Sequence, residues 1–213
     1  MPKIINKIIK TLITSDFFLN LGWGFLAPVF AIFILQKIAV NDISEAARIA
    51  GFAALSYWIT KSLFEIPIAV FLDKHDGEKD DFWFMAIGIF IMGFVPIGYI
   101  FASTAWHIYL LQMVHAIAMA MALPSWMAIF TRHITKGREA LNWSVETTTI
   151  GTAAGIAGGL GGIMAGTFGF ASVFILVSVF TFISGFLYLF IKNDVLQKDG
   201  KILMTTEKPV IEP

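Results

Sequence analysis

There is no cysteine among the 213 residues of this chain. That excludes disulfides, thiolate metal sites and a cysteine nucleophile, and it leaves the compartment open. Charge is scarce too. Asp, Glu, Lys and Arg make up 14% of the residues, 15 acidic and 15 basic, for a formal net charge of zero. A soluble domain of this size carries more charge and shorter apolar runs. No His-Glu-x-x-His, Gly-x-Ser-x-Gly or pair of catalytic aspartates is present, which leaves an intramembrane enzyme without recognisable chemistry. No small-residue cleavage site follows the first apolar run, so that run reads as a retained anchor rather than a signal peptide. His107 and His115 are eight residues apart, roughly 12 Å along a helix, too far to share a metal ion. Neither a metal, another cofactor nor a nucleic-acid partner is expected.

What the chain has is apolar length. It is 57% hydrophobic with 21 Phe, and it holds several uncharged runs long enough to cross a ~30 Å hydrocarbon core. Six spans are expected, at about 17–38, 49–72, 83–102, 106–131, 145–167 and 171–191. Residues 1–16 then form an N-terminal segment, 17–192 a transmembrane domain and 193–213 a polar tail. Of the 15 Lys and Arg, twelve fall on the side of the termini, including Lys3, Lys7, Lys10, Lys74, Lys79, Arg132, Lys136, Arg138 and Lys192. Only Lys37 and Arg48 fall opposite, and Lys61 lies within a span. Such a bias places both termini in the cytoplasm and gives every copy one orientation.

The most informative stretch runs from Tyr57 to Lys79. Lys61 and Glu65 lie inside a spanning helix, four residues apart and therefore on one face. An intramembrane charge is expensive and faces protein or a water-filled cavity rather than lipid. The pair either lines a cavity or fixes helix packing. On helix 1, Asn20 and Trp23 are one turn apart, with Asp16 at the mouth of the helix. On helix 4, Gln112, His115, Met119, Ala122 and Trp126 share a stripe, and His115 lies near mid-membrane, either in a cavity or bonded between helices. Helix 5 begins near Glu146 and Thr147-Thr148-Thr149. It then carries Gly151, Gly155 and Gly159, and Gly158, Gly162 and Gly166, each series spaced by four. Such stripes let another helix approach backbone to backbone. Helices 3 and 6 have no interior charge and read as outer, lipid-facing helices. The candidate substrate-binding residues are therefore Asn20, Trp23, Tyr57, Lys61, Glu65, Gln112, His115, Met119 and Trp126. Aromatic rings beside amides suit a sugar, and suit an amphipathic drug equally.

The loop after helix 2 resembles a motif of the major facilitator superfamily of secondary transporters: glycine, three residues, aspartate, a basic residue, one residue, glycine, two basic residues. Ala69 stands at the first glycine, Asp73 and Lys74 match, His75-Asp76 is one residue longer than the usual spacer, Gly77 matches, Glu78 departs and Lys79 matches. Helix 4 is similar to a second motif, with Gln112 at its arginine, His115 at its glutamine and Ala116 at its glycine. Loss of that arginine argues against proton-coupled antiport. The resemblance implies an all-α membrane protein, a half-sized six-helix member. Its fold would be one half of the usual twelve-helix fold, built as an inverted three-plus-three repeat. It implies that Asp73, Lys74 and Gly77 form a cytoplasmic gate, and that Gly151, Gly155, Gly159 and Gly162 pack against helix 2 of a second copy. The expected activity is secondary transport of a small organic solute by alternating access. A parallel two-fold homodimer would carry the site on its axis, in the cytoplasmic membrane of a prokaryote. The alternatives are one half of a heteromeric transporter and a non-transporting assembly subunit, with an intramembrane enzyme the weakest.

Overall fold

A computed structural model describes residues 5–74 and 78–196. Gly77 and the tail from 197 onward lie outside the described residues. The helices are α1 (Lys7–Phe33), continued by a π-helical turn (Ile34–Ile38), α2 (Ile43–Lys74), α3 (Glu78–Ile100), α4 (Ala105–His133), α5 (Glu139–Phe168) and α6 (Phe170–Leu189). Among the described residues there is no strand. All six are long and apolar enough to cross a membrane.

Local chemistry explains the ends. The Asn6 side chain accepts from the Ile9 N–H at 2.9 Å, satisfying one of the open donors of the first turn of α1. The helix therefore begins at Lys7, within the segment expected to precede the first span. Val40 and Asn41 take φ of 50° and 67°, which breaks the chain direction before Asp42 accepts from the Glu45 N–H at 3.0 Å and starts α2. His107 caps the start of α4, where the Thr104 hydroxyl lies 3.0 Å from its Nδ1. Gly169, at φ 78°, turns α5 into α6 within one residue.

The helices cross alternately. The Asp81–Arg132 ion pair joins the start of α3 to the end of α4, and Lys7 meets Asp194 at 2.5 Å. Asn6 Nδ2 donates to the His133 carbonyl at 2.5 Å. All of these lie at one end of the bundle, the basic end. At the opposite end Lys37, Ser103 and Gly169 line one crevice. The principal pairings are α1 with α5 and α6, α4 with α2 and α3, and α3 with α6. Exchanging α1 with α4, α2 with α5 and α3 with α6 maps that set onto itself, as a three-plus-three repeat requires.

Burial is uneven among the helices. Helix α3 is the most enclosed, with half of its membrane window buried, and α6 reaches 39%. The rest of each window, including Phe94 of α3 and Phe186 of α6, is part-exposed or exposed and apolar. Ser178 Oγ donates to the Gly93 carbonyl at 2.7 Å between them. The apolar composition of a span does not separate a lipid face from a core face, because lipid tails are as apolar as Leu. The exposed helices are α2 and α5, at 11% and 17% buried.

Candidate functional site

Three helices meet at His115. The Trp23 ring of α1 stacks on it at 4.0 Å and 16°, and Tyr57 of α2 tilts against it at 4.9 Å. His115 thus joins α1, α2 and α4 near the middle of the bundle. A cavity of about 360 Å³ opens on one side of this stack, lined by Trp23, Leu26, Phe30, Tyr57, Trp58, Gln112 and His115. A second, of about 270 Å³, lies toward the basic end, bounded by Asp16, Asn20, Met119, Trp126, Trp143, Glu146 and Tyr188. Along α1 the first cavity takes residues 23–30 and the second 16–20. Along α4 they take 112–115 and 119–126. The stack is the partition between them.

The nine candidate binding residues are therefore not one cluster in the single chain. Trp23, Tyr57, Gln112 and His115 line one cavity, and Asn20, Met119 and Trp126 line the other. The Asn20 amide is turned onto its own helix, donating to the Asp16 carbonyl at 2.9 Å. Lys61 and Glu65 line neither. The Lys61 ammonium lies 2.7 Å from both Glu65 oxygens and 5.8 Å from the Trp58 ring centre. Lys61 is 7% exposed, so its charge is neutralised by a local carboxylate rather than by another helix. The largest of the three cavities, about 880 Å³, lies at the end opposite the basic one and touches none of the nine.

At the basic end, Asp73 and Lys74 are both exposed. Asp73 acts electrostatically on Asp81, as does Asp80, and Arg132 holds Asp81. Sequence reasoning treated Asp81 and Arg132 as loop charges and missed the pair. The only signal for it was their opposite sign on connections of the same side. Sequence reasoning also placed Asp16 and Glu146 near helix ends without joining them. In the fold they face each other across α1 and α5. Of the glycines, Gly151, Gly155, Gly158, Gly159, Gly162 and Gly166 have open space where a Cβ would stand. On α5 the glycine that packs within the chain is Gly161, outside both stripes and against Phe25.

Six long apolar helices in a pseudo-repeated bundle define a multi-pass membrane protein. A family model of the Major Facilitator Superfamily matches residues 12–211, and the chain belongs to that superfamily, a family of transporters. A search of the curated proteins found no match.

Proposed function

We propose that the protein moves a small organic solute across the membrane by alternating access, as a parallel homodimer with the transport path on the two-fold axis. The observation that carries this reading is the bareness of α2 and α5, only 11% and 17% buried, together with the empty space beside Gly151, Gly155, Gly159 and Gly162. Lipid alone has no need of a glycine stripe, whereas a second helix does. The Lys61–Glu65 pair sits on α2 among exposed neighbours, and Glu65 remains part-exposed. Lipid contact with such charges would cost on the order of several kcal/mol, which a second copy removes. The basic end is cytoplasmic by its charge bias, so all copies are parallel, and two-fold closure is the commonest arrangement for identical chains.

In this reading Trp23, Tyr57, Gln112 and His115 of each copy bind the solute, with Asn20, Met119 and Trp126 below the stack and Lys61 and Glu65 beside it. Asp73, Lys74 and Gly77 gate the cytoplasmic side against helix ends of the other copy. The solute class is neutral or weakly charged, a sugar or an amphipathic drug, and the location is a prokaryotic cytoplasmic membrane. A different six-helix chain would fit the same bare face.

The test uses the cysteine-free background. Ile59→Cys on α2 and Thr152→Cys on α5, both exposed and near the middle of their helices, should cross-link into dimers of purified protein in nanodiscs. A ligand-stabilisation screen against sugars, organic acids and drugs then finds the solute. Protein that stays monomeric in nanodiscs and still transports would defeat the dimer.

A further inference from the structure

Two acids at the basic end of the bundle are not used by the site described above. Asp16 on α1 is 7% exposed and Glu146 on α5 is 2% exposed. The Tyr188 hydroxyl of α6, itself 1% exposed, donates to Asp16 Oδ1 at 2.8 Å. Both Glu146 oxygens are buried and receive no hydrogen bond from a donor, and the group they face is the Asp16 carboxyl. Two carboxylates in contact are two acceptors without a hydrogen between them. The contact becomes a hydrogen bond only when one of the two is protonated.

Among the described residues that line the adjoining cavity, none balances the charge. The lining of that cavity, about 270 Å³ and shared by both acids, has no Lys, Arg or His among the described residues. Its titratable groups are Asp16 from α1, Glu146 from α5 and Tyr188 from α6; α3 contributes Met85 and Ile89, and α4 contributes Met119, Leu123 and Trp126. The amide that lines this cavity, Asn20, is engaged with a backbone carbonyl, and the Asn142 amide one turn before Glu146 donates to the Arg138 carbonyl. Thr147 is likewise turned to the Trp143 carbonyl at 3.0 Å. Two buried carboxylates side by side ionise together only at a high energetic cost when no cation compensates them, so the pair holds one proton tightly. A second observation points to what enters. Trp126, 8% exposed and on the same cavity, carries a buried indole N–H with no acceptor. A cavity of this size with an unmet donor and unmet acceptors suits water, which needs two to four polar partners. Water there gives the pair an exchange path.

We propose that Asp16 and Glu146 bind one proton between them and exchange it with water in the adjoining cavity, so that the pair is the proton-binding site of this transporter. In the step itself one carboxylic O–H bond breaks, the proton passes to a cavity water, and two carboxylates remain. Re-protonation reverses it. Tyr188 holds Asp16 in place as a donor throughout and gives up no proton. The use of that proton in coupling rests on the transport reading given above; the site does not.

Infrared spectroscopy of the full chain in nanodiscs tests the site without a transport substrate. Wild-type protein should show one carboxylic C=O band per chain that persists through neutral pH and downshifts in deuterium oxide. Asp16→Asn and Glu146→Gln should each abolish that band, and both neutral variants remove the need for a buried proton, so both should fold. Glu65→Gln should leave it. Tyr188→Phe should move the pH midpoint of the band and keep its amplitude. The midpoint should be the same in sodium chloride and choline chloride. A wild-type protein without the band, a band that survives Glu146→Gln, or a midpoint that follows sodium would overturn the proposal. Absence of solute transport with the band present would instead count against the transport reading alone.

Discussion

Gly161 and Gly159 are two residues apart on one helix, and alanine should affect them in opposite directions. A Cβ on Gly161 would stand 2.5 Å from the Phe25 carbonyl oxygen and 3.1 Å from its Cα. Both atoms are backbone, so no side chain can swing aside. Helices α1 and α5 must part by about an ångström to restore ordinary contact distances. Overpacking of this kind costs roughly 1–3 kcal/mol. A Cβ on Gly159 meets nothing within 4 Å of the same chain. There the change from glycine to alanine only removes the helix penalty of glycine, a gain of up to about 1 kcal/mol. At about 2–4 °C per kcal/mol for a chain of this size, Gly161→Ala should lower the Tm of detergent-solubilised monomer by about 2–12 °C. Gly159→Ala should leave it unchanged or raise it by a few degrees. In nanodiscs the order reverses for self-association. Gly159→Ala should weaken the dimer, because its methyl occupies the space reserved for the partner, while Gly161→Ala touches only the chain's own core. Equal shifts for the two variants in detergent would refute the assignment of Gly161 to the internal contact. Unchanged association of Gly159→Ala in nanodiscs would refute the assignment of Gly159 to the dimer.

Periodicity and charge made the membrane class, the helix count and the alternation of loops legible, because a bilayer imposes length and polarity on each span separately. The pseudo-repeat was legible through the family resemblance and not through periodicity. It resides in which helices touch, and the spacing within one helix does not carry that. The apolar composition of α3 and α6 does not say which face of each packs on protein, because burial in protein and burial in lipid select the same side chains. Among the candidate residues, the link between Lys61 and Glu65 followed from spacing on one helix and is present at 2.7 Å. Contacts between helices distant in sequence were the part that spacing could not give. Asp16 with Tyr188 is 172 positions apart, and Asp81 with Arg132 is 51. The stack of Trp23 on His115 belongs to this group as well. Each residue was a candidate, but nothing in either segment said that the two rings would meet and divide the cavity.

Four further outcomes are expected. Asp73→Asn should impair solute uptake by proteoliposomes while expression and assembly stay near normal; full uptake would remove the gating role. Glu65→Gln should leave the pH dependence of uptake in place, because Glu65 serves as the counter-charge of Lys61 at 2.7 Å; a lost pH dependence would count against Asp16–Glu146 as the proton site. Arg132→Ala should destabilise far more than Asp81→Asn, because it strands a carboxylate that is 2% exposed, at a cost of about 3–5 kcal/mol, whereas the asparagine leaves no buried charge. Comparable Tm losses would show that the ion pair is not what holds α3 to α4. The last concerns the partition at His115. Its ring lies against Trp23 at 4.0 Å and Tyr57 at 4.9 Å, and aromatic pairs of this kind contribute about 0.5–1.5 kcal/mol each beyond area burial. His115→Ala deletes both contacts and removes the wall between the two cavities. His115→Phe keeps a ring of similar width without the imidazole nitrogens. A single cysteine at Leu123, which lines the basic-end cavity, reports the difference. In sealed proteoliposomes with a wild-type stack, a membrane-impermeant thiol reagent should label it from the basic side only. With His115→Ala it should be labelled from both sides, and with His115→Phe the one-sided pattern should return. One-sided labelling that persists in His115→Ala would mean that the helices close over the missing ring, and that the barrier between the cavities is α1 packed on α4 rather than the stack itself.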